Sequence, residues 1–497
     1  MKHTRISIIG WLSVCLLIVV TSCGNRQKAV NKLSDLPGSK IGVQLGTTAD
    51  TKVSAMEHDS TGTRVERFTK TADAIQALLQ GKLSCVVEDE QPARAFVSQN
   101  EGIAILPQAY STEQYAFCVA HGRHDLVNRI NHALTLLRND GTLDSIISRH
   151  INSKMGVAYQ PKAIGRPNGK LVVATNATFQ PYEYYENGRV VGIDIDIMQA
   201  VADVLGMTLQ VEDMNFDAVV TSVQTGKADV GAAALTVTPD RLRNVSFTLP
   251  YAHSRQVVIV KSSKVTARQQ SFGEKFKQDF LVEGRYLYLL QGLGNTLIIT
   301  LFAILISLCF GSLIAIIRTT HDRTGRYMVL NALCKLYLVV IRGTPTMVQL
   351  LIIYYVIFAA ADVSKVLVAI VAFGVNSSAY MAEVVRGGIM SIDRGQSEAG
   401  RSLGLSYRQT LRLIILPQAF KNVLPAIGNE LITLLKETSI SGYIGLVDLT
   451  KGSDIIRSIT YDAILPLGMV ALIYLAIVLS LSSAVGAIEK KLRKNER

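Results

Sequence analysis

The chain has 497 residues and a formal net charge of +12, and Tyr286 opens a run of 32 residues without a charge. A helix crossing a hydrocarbon core needs roughly 20 apolar residues, so part of the chain reads as a membrane bundle. The basic excess lies mostly beside the apolar spans with no basic stripe interleaved with aromatics, which excludes nucleic acid as a partner; no spacing of His and Cys suggests a metal.

Residues 1–23 begin with Lys2 and Arg5, continue through the apolar run 6–20 and end in Val20-Thr21-Ser22-Cys23. This resembles a bacterial lipoprotein signal in which Cys23 is lipidated, with a retained N-terminal anchor or ordinary cleavage as the alternatives; each exports the next domain. Residues 31–151 alternate strand-like runs at 40–45 and 85–87 with helix-like runs at 72–79, 126–137 and 143–149. Pro161 and Pro167 make 152–168 a linker. Residues 169–261 repeat the alternation, with strands at 170–174, 208–211 and 257–260 and helices at 193–205 and 216–224, so the exported part is α/β. Cys85 and Cys118 sit in apolar strand-like runs and read as buried free thiols.

After a linker at 262–285, apolar spans are expected at 286–317, 343–361, 366–382 and 463–488, with a weaker one at 422–440 that holds Glu430, Lys436 and Glu437. That makes five helices. Segments 318–335, 386–412 and 490–497 hold four, five and five Lys or Arg, whereas the other turns hold only Lys365, Lys451 and Arg457. This asymmetry predicts a soluble domain outside and a C-terminus in the cytoplasm.

The stretch from Ala174-Thr175-Asn176-Ala177-Thr178-Phe179-Gln180-Pro181, through Gly192-Ile193-Asp194 and Gly226-Lys227-Ala228-Asp229, to Thr236-Val237-Thr238-Pro239-Asp240-Arg241 resembles the periplasmic solute-binding proteins for polar amino acids. The part that lies downstream of these motifs in that family stands upstream here, at 39–48 and 137–145, so the resemblance implies one circularly permuted, two-lobed domain. It also implies a site for an amino acid. Arg241 can grip an α-carboxylate with its fork of donors, helped by Thr236 and by Thr48 at a helix start. The α-ammonium falls to Asp89 or Glu90 and to the carbonyl of Ala234, while Phe179 and Phe216 enclose the ligand. Asn176 and Gln44 put uncharged amides where relatives carry charge, which leans toward a neutral polar amino acid such as glutamine, with cystine and arginine open.

Residues 286–492 carry Gly292-Leu293-Gly294-Asn295-Thr296, Ile341-Arg342-Gly343-Thr344-Pro345, Glu383-Val384-Val385-Arg386-Gly387-Gly388 and Glu398-Ala399-Gly400 followed by Gly404. These resemble the permeases of polar amino-acid ABC importers, with Glu398, Ala399, Gly400 and Gly404 in the loop that couples to the ATPase. The chain lacks a Gly-rich phosphate loop ending in Gly-Lys-Ser or Gly-Lys-Thr. The resemblance therefore implies a non-catalytic chain with no bound cofactor, a separate cytoplasmic ATPase that uses ATP, and a homodimer in the lipid of a bacterial inner membrane. Glu430 and Glu383 are candidates for the solute path. The expected fold is an exported two-lobed α/β binding fold fused to an all-α transmembrane bundle of about five helices. An amino-acid sensor or a ligand-gated channel built on the same binding module is the alternative.

Overall fold

The computed structural model describes residues 27–58, 60–152, 159–262, 271–359, 363–462 and 464–494; the signal segment and Cys23 lie outside them. Two compact units divide the chain, one of residues 1–113 with 254–268 and the other of 114–253 with 269–497. Strands are numbered along the chain.

The first unit is built on β1 (Lys40–Gln44), β2 (Arg64–Phe68), β3 (Cys85–Asp89) and β4 (Ile103–Ile105). Parallel pairing of β1 with β2 and β3 requires crossovers, which α1 (Thr48–Ser54), α2 (Thr71–Leu79) and intervening segments supply; α3 (Glu90–Gln99) leads from β3 to β4. Ile41, Val43, Cys85 and Val87 are buried because a parallel sheet is covered on both faces. Two strands reached later in the chain complete the sheet: β5 (Ser111–Tyr115), which ends this half, and β14 (Ala252–Lys261), which inserts antiparallel between β3 and β4.

In the second unit, β6 (Cys118–Ala120) is followed by α4 (His124–Asn139) and α5 (Thr142–Asn152), then β7 (Lys170–Thr175). A small antiparallel sheet of β8 (Thr178–Phe179), β9 (Glu183–Glu186) and β10 (Arg189–Val191) precedes α6 (Ile193–Leu205), β11 (Thr208–Asp213), α7 (Phe216–Gln224), β12 (Val230–Gly231) and β13 (Val245–Phe247). The main sheet runs β11-β7-β12-β6-β13, so a strand from the upstream half lies between two downstream strands. Each sequence half thus lends a strand to the sheet of the other. Its core gathers Phe117, Leu126, Ile130, Leu171, Val173, Ile197 and Val201.

The same unit holds the apolar helices. These are α8 (Tyr286–Thr324), α9 (Met328–Gly343), α10 (Thr346–Ile357), α11 (Lys365–Met390), α12 (Arg394–Ser402), α13 (Leu416–Glu437), α14 (Leu449–Thr460) and α15 (Ile464–Lys494). By length and hydropathy α8, α11 and α15 can cross a membrane, and α9 with α10 makes a fourth span if that bent pair counts as one. About five spans were expected, and three or four helices among the described residues meet the length and hydropathy criterion. The span expected at 343–361 is the second arm of a 108° bend, because Pro345 cannot continue α9. Gln349 Nε2 caps the break by donating to the carbonyls of Ile341 and Thr344. The weak span at 422–440 is largely α13, a 22-residue helix too polar to meet the same criterion among the described residues. Residues 318–335, expected as a loop, are mostly helix: α8 continues to Thr324 and α9 starts at Met328.

Close approach of α8 and α14 depends on two glycines. A Cβ on Gly292 would lie 2.3 Å from the Asp448 carbonyl oxygen, and one on Gly452 would lie 2.5 Å from that of Tyr288.

Candidate functional site

In the second unit, Thr238 caps the short helix Pro239–Leu242 through its hydroxyl, which accepts the Arg241 N–H. That cap fixes where the Arg241 side chain starts. Its Nη1 donates to the Thr236 carbonyl at 2.9 Å, and the guanidinium carbon lies 5.5 Å from the centre of the Phe216 ring, a cation–π distance. Arg241, Thr236 and Phe216 are therefore together, with the guanidinium set against an aromatic face. Phe179 is 9% exposed and packs at 6.0 Å against Tyr182.

Ala234 has φ 45°, a left-handed conformation that costs a residue with a side chain roughly 1–2 kcal/mol. Asp194, fully buried at the start of α6, holds it there: its Oδ2 accepts the Ala234 N–H at 2.9 Å and its Oδ1 accepts the Tyr251 hydroxyl at 2.5 Å. Burial pushes the Asp194 carboxyl up to about 7 against the lowering effect of those two donors. The sequence alone assigned Asp194 no role; two acids, Asp194 and Asp196, in the first turn of a largely apolar helix were the available signal.

Asn176 is also buried, and its amide is used within the fold. It donates to the Met214 carbonyl at 2.8 Å and accepts from the Thr178 hydroxyl at 2.9 Å.

The first unit carries the other expected residues at the ends of β1 and β3. Gln44 donates to the Thr69 carbonyl and accepts from the Thr71 hydroxyl, while Thr48 accepts from Gln256 Nε2 at 2.9 Å. Gln256 stands opposite Asp89 in the β14–β3 register, so Thr48, Gln256 and Asp89 form one group. Asp89 is 7% exposed. Beside it, burial and then the Asp89 charge raise the Glu88 carboxyl well above the ordinary range. Glu90 is engaged differently: both oxygens accept from Arg255, at 2.7 and 2.9 Å, and Arg94 adds a second cation. Hydrogen bonding from Arg255, then Arg94, holds that carboxyl below its usual value despite partial burial.

Cys85 and Cys118 are both free and buried, and burial pushes each thiol up to about 12, which makes them unreactive.

Among the helices, Glu398 and Ala399 lie exposed on α12, which Asp393 caps. Gly400 faces inward, where a Cβ would lie 2.7 Å from Thr410, and Gly404 stops the segment at φ 80°. Glu430 accepts from Ser377 at 2.8 Å, and Ser377 pairs with Ser307, joining α13, α11 and α8 by polar contacts in their interior. Glu383 pairs with Arg318 and, at 3.6 Å, with Arg386, whose guanidinium also reaches Asp322. Among the described residues no group of three or more His, Cys, Asp or Glu could hold a metal ion.

A profile of the bacterial extracellular solute-binding proteins, family 3, matches residues 171–458. The arginine transport system permease protein ArtQ of Bacillus subtilis (strain 168) is 37% identical over 211 residues, which is 42% of this chain and 94% of that protein. The chain belongs to solute-binding family 3 and to the family of these ABC permeases. The putative glutamine transport system permease protein GlnP of Rickettsia typhi (strain ATCC VR-144 / Wilmington) is 34% identical over 213 residues, 42% of this chain and 95% of the relative. A solved amino acid ABC transporter with histidines shares 38% identity over 43% of this chain and 98% of its own, with a TM-score of 0.39. As a member of these permeases the chain is a non-catalytic subunit, and the ATP of such systems is used by a separate ATPase.

Proposed function

We propose that this chain is the combined solute-binding and permease subunit of an ATP-driven importer of polar amino acids. The observation that carries the reading is the coexistence, in one chain, of a family 3 match and nearly the full length of an amino-acid permease. The soluble part captures the amino acid outside, the helices pass it inward, and a cytoplasmic ATPase dimer drives them. Two copies of the chain form the pathway, because one permease per chain must meet a two-fold ATPase.

Arg241 takes the α-carboxylate, with Thr236 and Thr48 adding donors; Phe216 and Phe179 bury the ligand stem. Asp89 takes the α-ammonium in preference to Glu90, whose carboxylate Arg255 and Arg94 already occupy. The Ala234 carbonyl, set by the Asp194 contact, takes a second ammonium proton. The neutral amides of Asn176 and Gln44 support a neutral polar amino acid such as glutamine; the relatives named above are assigned arginine and glutamine.

Exchange of β6 and β14 between the sequence halves supports circular permutation of one binding domain. The basic residues near 318–335, 386–412 and the C-terminus support a cytoplasmic side there, which puts Glu398, Ala399, Gly400 and Gly404 where an ATPase can reach them. Reconstitution with its ATPase tests the whole reading: a polar amino acid should stimulate hydrolysis and accumulate inside ATP-loaded proteoliposomes. Ligand binding without either effect would overturn the importer in favour of a sensor.

A further inference from the structure

The end of β11 meets the apolar helices through two adjacent acids. Asp213 lies 2.8 Å from Lys451 of α14, with the two side chains 6% and 5% exposed, and Glu212 lies 2.5 Å from Lys365 at the start of α11. Burial alone would raise the Glu212 carboxyl; the Lys365 ammonium more than offsets it and holds the group below its ordinary value. Gly445 permits the approach, since a Cβ there would lie 2.0 Å from the Asp213 carbonyl oxygen. Further contacts flank the seam: the Gly188 N–H donates to the Tyr288 hydroxyl at 2.9 Å, the Tyr185 and Tyr288 rings meet edge to face, and Lys227 donates to the Phe358 carbonyl.

Asp213 is placed to do more than dock. Its Oδ1 accepts the Ala177 N–H at 2.9 Å, while Oδ2 faces Lys451 and the Tyr185 hydroxyl. The segment that Oδ1 holds, Thr175 to Phe179, is tied to the same strand end twice more: the Met214 N–H donates to the Thr175 carbonyl, and Asn176 donates to the Met214 carbonyl. One carboxylate therefore bonds the Asn176–Phe179 segment with one oxygen and α14 with the other. Around Lys451 stand Asp448, whose Oδ1 accepts the Lys451 N–H, and Asp454, so the ammonium sits in an acidic pocket that Asp213 completes. A buried pair of this kind adds little net stability, but removing one partner strands the other charge. Such a contact gives two elements a shared state.

We propose that Asp213 is a positioning residue that ties the Asn176–Phe179 segment to helix α14 through Lys451, so that ligand at this segment and the conformation of the permease bias each other. The mechanical tie is independent of the importer reading; its use as a signal rests on it. Coupling of this kind is reciprocal.

The test uses the full chain in lipid nanodiscs with its ATPase. Lys451→Met touches no residue of the segment, yet it should speed hydrogen exchange of the Ala177 amide by about tenfold, as expected for loss of a buried partner. It should also abolish most amino-acid stimulation of hydrolysis while ligand-free hydrolysis persists. The reversed pair Asp213→Lys with Lys451→Asp should not restore stimulation, because a lysine at 213 cannot accept the Ala177 N–H and an aspartate at 451 would face Asp448 and Asp454. Should the single change fail to fold, the double variant Asp213→Asn with Lys451→Met leaves no unpaired charge at position 213 and keeps an acceptor for Ala177. It should fold, protect that amide as the wild type does and still lose stimulation. Wild-type stimulation in the double variant, or an unchanged Ala177 exchange rate in a folded Lys451→Met chain, overturns the proposal. If the wild-type chain itself shows no stimulation, the importer reading fails while the exchange rate still decides the tie.

Discussion

Arg241 illustrates how a short motif brings its residues together. The hydroxyl of Thr238 holds its backbone N–H and the carbonyl of Thr236 holds its guanidinium, which lies over Phe216. In the fragment 27–261, Arg241→Ala should cost roughly 2–5 kcal/mol of ligand binding, as truncation of one member of a hydrogen-bonded charge pair does, and calorimetry reads this directly. Asp194 yields a prediction about pH. Its carboxyl titrates near 7 in the fold against 3.8 when free, so the folded state binds the proton more tightly. The stability it contributes is full below 3.8, is lost as pH rises through about 7, and is constant above. Asp194→Asn should flatten that decline in urea unfolding of the same fragment. An undiminished slope would mean another group causes it. The contiguous motif around Arg241 foretold its neighbourhood with Thr236, whereas the role of Asp194 was not legible, because Ala234 and Tyr251 reach it only through the fold.

At the scale of elements, the proposed coupling by α12 and the proposed solute path at α13 can be tested apart. Glu398 is exposed on a helix whose next glycine, Gly400, packs tightly on Thr410, so a charge change should leave the fold intact. Glu398→Lys is expected to weaken capture of the ATPase in a pulldown without altering amino-acid affinity of the outer domain. Glu430 instead meets Ser377 within the helices. If it contacts the passing solute, Glu430→Gln should reduce uptake into proteoliposomes while hydrolysis and ATPase assembly persist; wild-type uptake with the same substrate range removes it from the path. Glu383 is a weaker candidate, since Arg318 and Arg386 already neutralise it. Apolar runs located α8, α11 and α15 well. The bend at Pro345 escaped because hydropathy averages over a break that one proline and the Gln349 side chain create together.

For the whole molecule, the exchanged strands make a sharp statement about folding. β14 completes the sheet of the upstream half, and β6 completes that of the downstream half, so neither half of the sequence contains a finished sheet. The fragment 27–261 should therefore unfold in one cooperative transition and bind one amino acid per chain. Residues 27–151 or 159–261 alone should each fail to give a cooperative melt. Two transitions with two ligand sites would point to duplicated domains instead.

By itself the sequence determined that an α/β domain precedes apolar helices and that the chain lacks an ATP phosphate loop. Those properties are local: hydrophobic run length, charge and motif spacing carry them. Tertiary structure decided the exchange of strands between the halves, the left-handed setting of Ala234, the occupation of Glu90 by Arg255, and the contact of Asp213 with Lys451. Each of these pairs groups far apart in the chain, and the burial that makes such pairs consequential exists only once the surrounding sheets and helices have closed around them.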